Sequence, residues 1–179
     1  TKTMTVDYSA AVSNDENRDA FYKYHTFTVT GAQTETIELK RPFAQLNIGV
    51  TDADLQKVIE LGYTPTEVVI TVDNSATHFN ALTGLQNDSE KTVSYTLPVP
   101  GEKITVAGTE YNLLSQCFVF LEQGWPNANV TYVIKGGAEV ITEGSFQNVP
   151  FDANYKTNIV GTLMTEQPVF NITIDAAFE

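Results

Sequence analysis

The chain has 179 residues, enough for one domain with a full apolar core, and its single cysteine, Cys117, excludes a disulfide framework. Twenty-two acidic residues against ten basic ones give a net charge of −12, which repels phosphate backbones and anionic lipid and so excludes nucleic acid and an anionic membrane surface as partners. Charged residues make up only 18%, and the remaining polarity comes largely from Thr, Asn, Gln and Ser, a surface suited to β-structure and common among secreted proteins.

Thr1 to Tyr8 hold no apolar stretch of the kind a signal peptide needs, and no 18-residue apolar run occurs anywhere. A chain that opens at Thr1 without Met is expected to be processed, trimmed or excised, with any targeting segment removed. Residues 14–19 (Asn-Asp-Glu-Asn-Arg-Asp) read as a polar loop, followed by the aromatic-dense Ala20-Phe21-Tyr22-Lys23-Tyr24. Residues 1–34 are expected to be a linker or the remnant of an N-terminal domain, and 35–179 the compact domain.

Alternation at period two predicts strands at 25–30, 35–40 and 43–50. In the last of these Ala44, Leu46 and Ile48 share one face and Gln45 and Asn47 the other, after an entry at Pro42 that cannot donate to a ladder. The pattern then changes to a helix over about 52–61, with Leu55, Val58 and Ile59 on one face, Thr51 and Asp54 as a capping-box-like start and Gly62 as the left-handed stop. Further strands follow at 67–73, 92–97, 103–106, 111–121, 129–135, 138–143 and 155–163, with Gly136-Gly137 as a tight hairpin turn. The last runs to the penultimate residue, with Phe170, Ile172, Ile174, Ala176 and Phe178 along one face. One short helix among strands spaced every 8–12 residues predicts an all-β antiparallel sandwich.

Chemistry is harder to find. No phosphate-binding loop, nucleophile elbow, H-E-x-x-H or C-x-x-C motif occurs, and no acidic residue stands out as half of a glycosidase pair. His25 and His78 with one cysteine are too few soft ligands for zinc, and Cys117 sits among apolar neighbours as a small buried hydrophobe. Asp52 and Asp54 are accounted for by the positive end of the helix they open. No cofactor, no metal and no enzymatic activity are expected. Trp125, in a turn, with Tyr111 and Tyr132, is a possible platform for a sugar ring, which makes a surface carbohydrate-binding module the alternative reading.

Four stretches carry a resemblance. Leu39-Lys40-Arg41-Pro42-Phe43-Ala44-Gln45-Leu46-Asn47-Ile48 resembles a signature strand of the fimbrillin-like surface proteins of Bacteroides and relatives, and Asp19-Ala20-Phe21-Tyr22 resembles the element that precedes it. Residues 154–163, Asn-Tyr-Lys-Thr-Asn-Ile-Val-Gly-Thr-Leu, resemble the family's N-Y-R-T-N-I-x-G-N-L segment, and Phe170-Asn171-Ile172-Thr173-Ile174 its closing strand. The resemblance implies a transthyretin-like β-sandwich in a fimbrial subunit or adhesin at the cell surface or outer membrane, held to the membrane only through a removed N-terminal lipid anchor. It also implies assembly with other fimbrial subunits, of its own or a related kind, and a host protein or glycan as a further partner. The alternating face of 170–178 is then the subunit-contact strand, joining neighbours by strand complementation.

Overall fold

The structure is a computed structural model that describes residues 2–8, 17, 19–87, 91–121, 127–165 and 167–176. In chain order its elements are β1 (Thr3–Thr5), β2 (Ala44–Val50), α1 (Asp52–Glu60), β3 (Glu67–Ser75), β4 (His78–Asn80), β5 (Leu85–Asn87), β6 (Lys91–Pro98), β7 (Lys103–Val106), β8 (Thr109–Val119), β9 (Asn127–Gly136), β10 (Glu139–Pro150), β11 (Lys156–Thr162) and β12 (Val169–Asp175). They make a five-stranded sheet in the order β12-β11-β2-β8-β7, a four-stranded sheet in the order β10-β9-β3-β6 and a small sheet β1-β4-β5. The two larger sheets share one core. Leu46 and Ile48 of β2, Val119 of β8 and Ile159 of β11 belong to the same buried cluster as Ile70 of β3, Leu97 of β6, Val130 of β9 and Phe146 of β10. The chain is thus an all-β sandwich with one α-helix among the described residues, α1, where the sequence places it.

β2 is the middle strand of its sheet and is buried on both faces. It runs antiparallel to β8 and parallel to β11, the one parallel pair among the described strands. Ala44, Leu46, Ile48 and Val50 enter the core as the alternation predicts. On the other face Gln45 and Asn47 are buried as well, so their amides need partners inside the protein. They find them in a row: Gln45 Nε2 donates to Asn47 Oδ1 (3.1 Å), Asn47 Nδ2 to Asn158 Oδ1 (2.8 Å) and Asn158 Nδ2 to Asp175 Oδ2 (2.6 Å). The row links β2, β11 and β12 from side to side.

A second tie runs through α1. Thr51 Oγ1 accepts from the Asp54 amide (3.2 Å), the N-cap bond expected of that pair. The Asp54 carboxylate, buried at 1% exposure, does not return to the cap: its Oδ2 accepts from the amides of Leu163 (2.7 Å) and Met164 (2.9 Å). Asp54 therefore pins the turn between β11 and β12 to the start of the helix. Asp52 stays at the surface, where hydrogen bonds from Asn112 and then Lys103 hold its carboxyl below the usual carboxylate range.

Two glycines allow close approaches that a side chain would block. At Gly161, which pairs with Phe170, a Cβ would run into the carbonyl oxygen of Val169 and lie 2.7 Å from the Phe170 Cα. At Gly144 of β10 the opposite residue, Tyr132, leans over the empty position, leaving 2.7 Å between its hydroxyl and a would-be Cβ. This lets the Tyr132 ring stack on Phe146 (5.1 Å between centroids).

Three expectations change. Residues 25–30 and 35–40 are not strands: they are exposed, and among the described residues the bridge Tyr22↔Lys40 alone joins them, with no described strand beside them to pair with. β4 and β5 are three-residue strands, too short for alternation to reveal. The β9–β10 turn falls on Gly137 and Ala138, while Gly136 ends β9. At the front of the chain β1 pairs with β4, and the Tyr8 hydroxyl donates to the Ala76 carbonyl (2.7 Å) with its ring edge-on to Tyr95 (5.5 Å).

Gly161→Ala is expected to lower the free energy of unfolding by about 2–3 kcal/mol, since the backbone of β12 must move to admit the methyl group. Gly31→Ala, where nothing lies within 4 Å, is expected to leave it nearly unchanged; urea titration of both variants checks the contrast. Burial pushes the Cys117 thiol from 9.0 up to about 12 and raises Tyr8 and Tyr95 as well. Each of these folded values lies above the unfolded one, so stability is fully present below about pH 9 and is lost as pH rises toward 12. Thermal melts at pH 7, 9 and 11 are expected to show a falling midpoint only above pH 9, and Cys117 to resist thiol reagents at pH 8 until the chain unfolds.

Candidate functional site

β12 closes one side of the five-stranded sheet and β10 the same side of the four-stranded sheet, so the sandwich ends there in two neighbouring edges. The Phe170 ring of β12 meets Phe146 of β10 edge-on (4.7 Å), which brings the two edges together across the core. Phe170, Ile172 and Ile174 lie opposite Gly161, Ile159 and Thr157 of β11 and so share the core-facing side. They are incompletely covered: Ile172 packs against the core, while Phe170 is 38% and Ile174 39% exposed. An apolar face that is half open sits beside a strand whose outer row of N–H and C=O groups has no neighbour among the described strands.

A second feature grows from the entry to β2. The Arg41 guanidinium grips the Asp19 carboxylate with two bonds (Nε to Oδ1, 2.7 Å; Nη2 to Oδ2, 2.6 Å) and lies 4.6 Å over the Phe21 ring. The Arg41 amide donates to Asn154 Oδ1 (3.1 Å), the Asn154 amide to the Phe43 carbonyl (2.9 Å) and the Gln45 amide to the Tyr155 carbonyl (3.0 Å). Next to this clasp Tyr22 and Lys40 exchange backbone bonds (2.8 and 3.2 Å), and Tyr22 anchors itself edge-on to Phe79 (4.8 Å) with its hydroxyl on the Ala81 carbonyl (2.7 Å). What lies between, residues 23–39, is an arm fixed at its base. It is exposed throughout, including Tyr24, Phe27 (57%), Val29 (72%), Ile37 and Leu39.

The remaining candidates separate. Ala176 is exposed just beyond β12, and Phe178 and Trp125 lie outside the described residues. Tyr111 is half-buried on β8, its Cβ close to Gly49. Tyr132 is buried in the core with its hydroxyl donating to the Leu163 carbonyl (3.0 Å), so its ring offers no platform to an outside ligand. His25 lies in the arm, 3.8 Å from Glu35. Among the described residues no three His, Cys, Asp or Glu side chains gather as a metal site, and no helix is long and apolar enough to cross a membrane. The clasp and the arm escape a reading by alternation because they are made of an ion pair, a ring contact and backbone bonds across more than a hundred residues; the signal available was the joint presence of the 19–22, 39–48 and 154–163 segments.

Comparison with solved structures finds a candidate cell adhesion protein of Bacteroides ovatus (12% identity, TM-score 0.43, 76% of this chain and 45% of that one). Another from Bacteroides uniformis gives 14% identity and a TM-score of 0.39 over 78% of this chain and 52% of that one. A fimbrial protein of Bacteroides vulgatus gives 13% identity and a TM-score of 0.36 over 75% and 54%. The chain thus spans about half the length of these proteins. No curated protein matches it. Residues 2–179 match a family described as being of unknown function, DUF6562, and the chain belongs to that family.

Proposed function

We propose that the protein is a non-enzymatic cell-surface subunit of fimbrial or adhesive type, which joins its neighbours by strand addition at the β10/β12 side of the sandwich. The observation that carries this reading is the state of β12: an edge strand with Phe170 and Ile174 half open to solvent on the side that faces the core. A strand laid along such an edge gains main-chain hydrogen bonds, and its alternate side chains cover the open apolar positions. The resemblance of the 19–22, 39–48, 154–163 and 170–174 segments to fimbrillin-like proteins supports the same reading. On this reading the protein works outside the cell at the outer membrane, held there only through an N-terminal lipid anchor that is later removed, with fimbrial subunits and a host protein or glycan as partners. The carbohydrate-binding alternative draws no support from Tyr132, whose ring is inside the core.

Shearing producing cells and running the surface fraction unboiled on SDS gels, beside electron micrographs, tests the proposal. A ladder and filaments are expected from the wild type and are expected to vanish with Ile172→Asp and Ile174→Asp. A single monomer band without filaments, together with glycan binding that is lost in Trp125→Ala, would overturn assembly in favour of the carbohydrate-binding module.

A further inference from the structure

The arm at 23–39 combines three properties that rarely coexist in an ordinary surface loop. It is built from strand-forming residues: Tyr24, Thr26, Phe27, Thr28, Val29 and Thr30 are all aromatic or β-branched. Among the described residues its backbone has no partner beyond the Tyr22–Lys40 bonds at its base. Its apolar side chains are in the open, with Phe27 and Val29 alternating along one face. A segment of this composition gains most from a sheet edge that supplies both hydrogen bonds and apolar cover.

We infer that the arm is the strand donor of this protein and that its acceptor is the β12 edge of a second copy. Three observations point to that occupant. The strand-forming half of the arm, 24–30, has the seven residues of β12 itself (Val169–Asp175), so the two match in length. The period-two face of Phe27 and Val29 meets the need of Phe170 and Ile174, which are exposed on the core side of the edge. Charge allows the same contact: the docking half of the arm, 24–30, holds no Asp, Glu, Lys or Arg in a chain of net −12, so it can approach another copy with little repulsion. The base of the arm is held by the Arg41–Asp19 pair and the Tyr22 anchor, which limits the ordering cost of docking to the arm itself. Donor and acceptor are different surfaces, so each copy that docks leaves one of each free, and the contact propagates as a head-to-tail chain.

This inference rests on the reading of β12 as an acceptor edge, and the test separates the two. The full chain is followed by analytical ultracentrifugation across a concentration series at physiological salt, as the wild type, as an arm variant (Phe27→Asp with Val29→Asp) and as an edge variant (Val169→Lys with Ile174→Lys). Phe27 and Val29 are exposed, so the arm variant is expected to keep the wild-type melting temperature; should the edge variant melt early, Ile174→Lys alone takes its place. The wild type is expected to form a distribution of chains, and each variant to associate about 30-fold or more weakly. An equal mixture of the two variants is expected to reach twice the monomer mass and stop there, because one partner has a sound edge and the other a sound arm. An arm variant that still polymerises while the edge variant does not would overturn the arm as donor and leave the acceptor edge standing. Polymerisation of both variants would overturn both readings. A mixture that stays monomeric, or a wild type that never associates, would overturn the second copy as the arm's partner.

Discussion

A strand buried on both faces cannot leave a polar group without a partner, and β2 is such a strand. Its core face is apolar, but the opposite face carries Gln45 and Asn47 at 6% and 4% exposure, where each unmet amide would cost about 1–3 kcal/mol. The chain meets that requirement with the row Gln45, Asn47, Asn158 and Asp175, which holds β2, β11 and β12 at one fixed register. A one-residue slip would turn these amides toward Leu46, Ile48 and Ile159 and send the apolar set the other way. The parallel β2/β11 pair, brought together from positions more than a hundred residues apart, is thus specified by hydrogen bonding as much as by apolar burial.

The same sheet shows how a fold can be tight in the middle and open at its margin. β11 and β12 are locked to one another by the Gly161–Phe170 approach, by the Asn158–Asp175 bond and by the hold of Asp54 on the turn between them. Beyond β12 that order ends with a row of backbone groups that has no partner among the described strands and with half-covered apolar side chains. The clasp at Arg41 has the corresponding effect on the other feature. By closing the base of residues 23–39 against the start of β2, it presents an exposed arm, with Phe27 and Val29 in the open, from a defined place. An open edge at β12 together with an exposed segment of strand-forming residues is the arrangement that the proposed strand addition requires.

Much of the sandwich was legible because alternation and burial follow the same period: β2, β3, β9 and α1 lie where their patterns place them. Residues 25–30 and 35–40 alternate just as clearly and yet stand in no sheet, because a strand is made by its neighbour and the sequence does not name one. Asp54 was legible as a helix-opening acid and no further, since its true partners, the amides of Leu163 and Met164, lie across the fold. Tyr132 looked like a surface aromatic for the corresponding reason. Only the glycine opposite it on β10, Gly144, makes room for its ring inside the core. The segments that resemble fimbrillin-like proteins prove to be neighbours in space: Asp19, Phe21, Arg41, Phe43 and Asn154 are joined in the clasp, which explains in physical terms why those short stretches occur together.

The central claim is that β12 receives a strand from a neighbour, and amide hydrogen exchange measured residue by residue along 169–175, in dilute monomer and in the assembled state, reads it most directly. The account predicts that the amides turned toward β11 are protected in both states while those turned outward become protected only on assembly. Outward amides that exchange equally fast in the two states would contradict it.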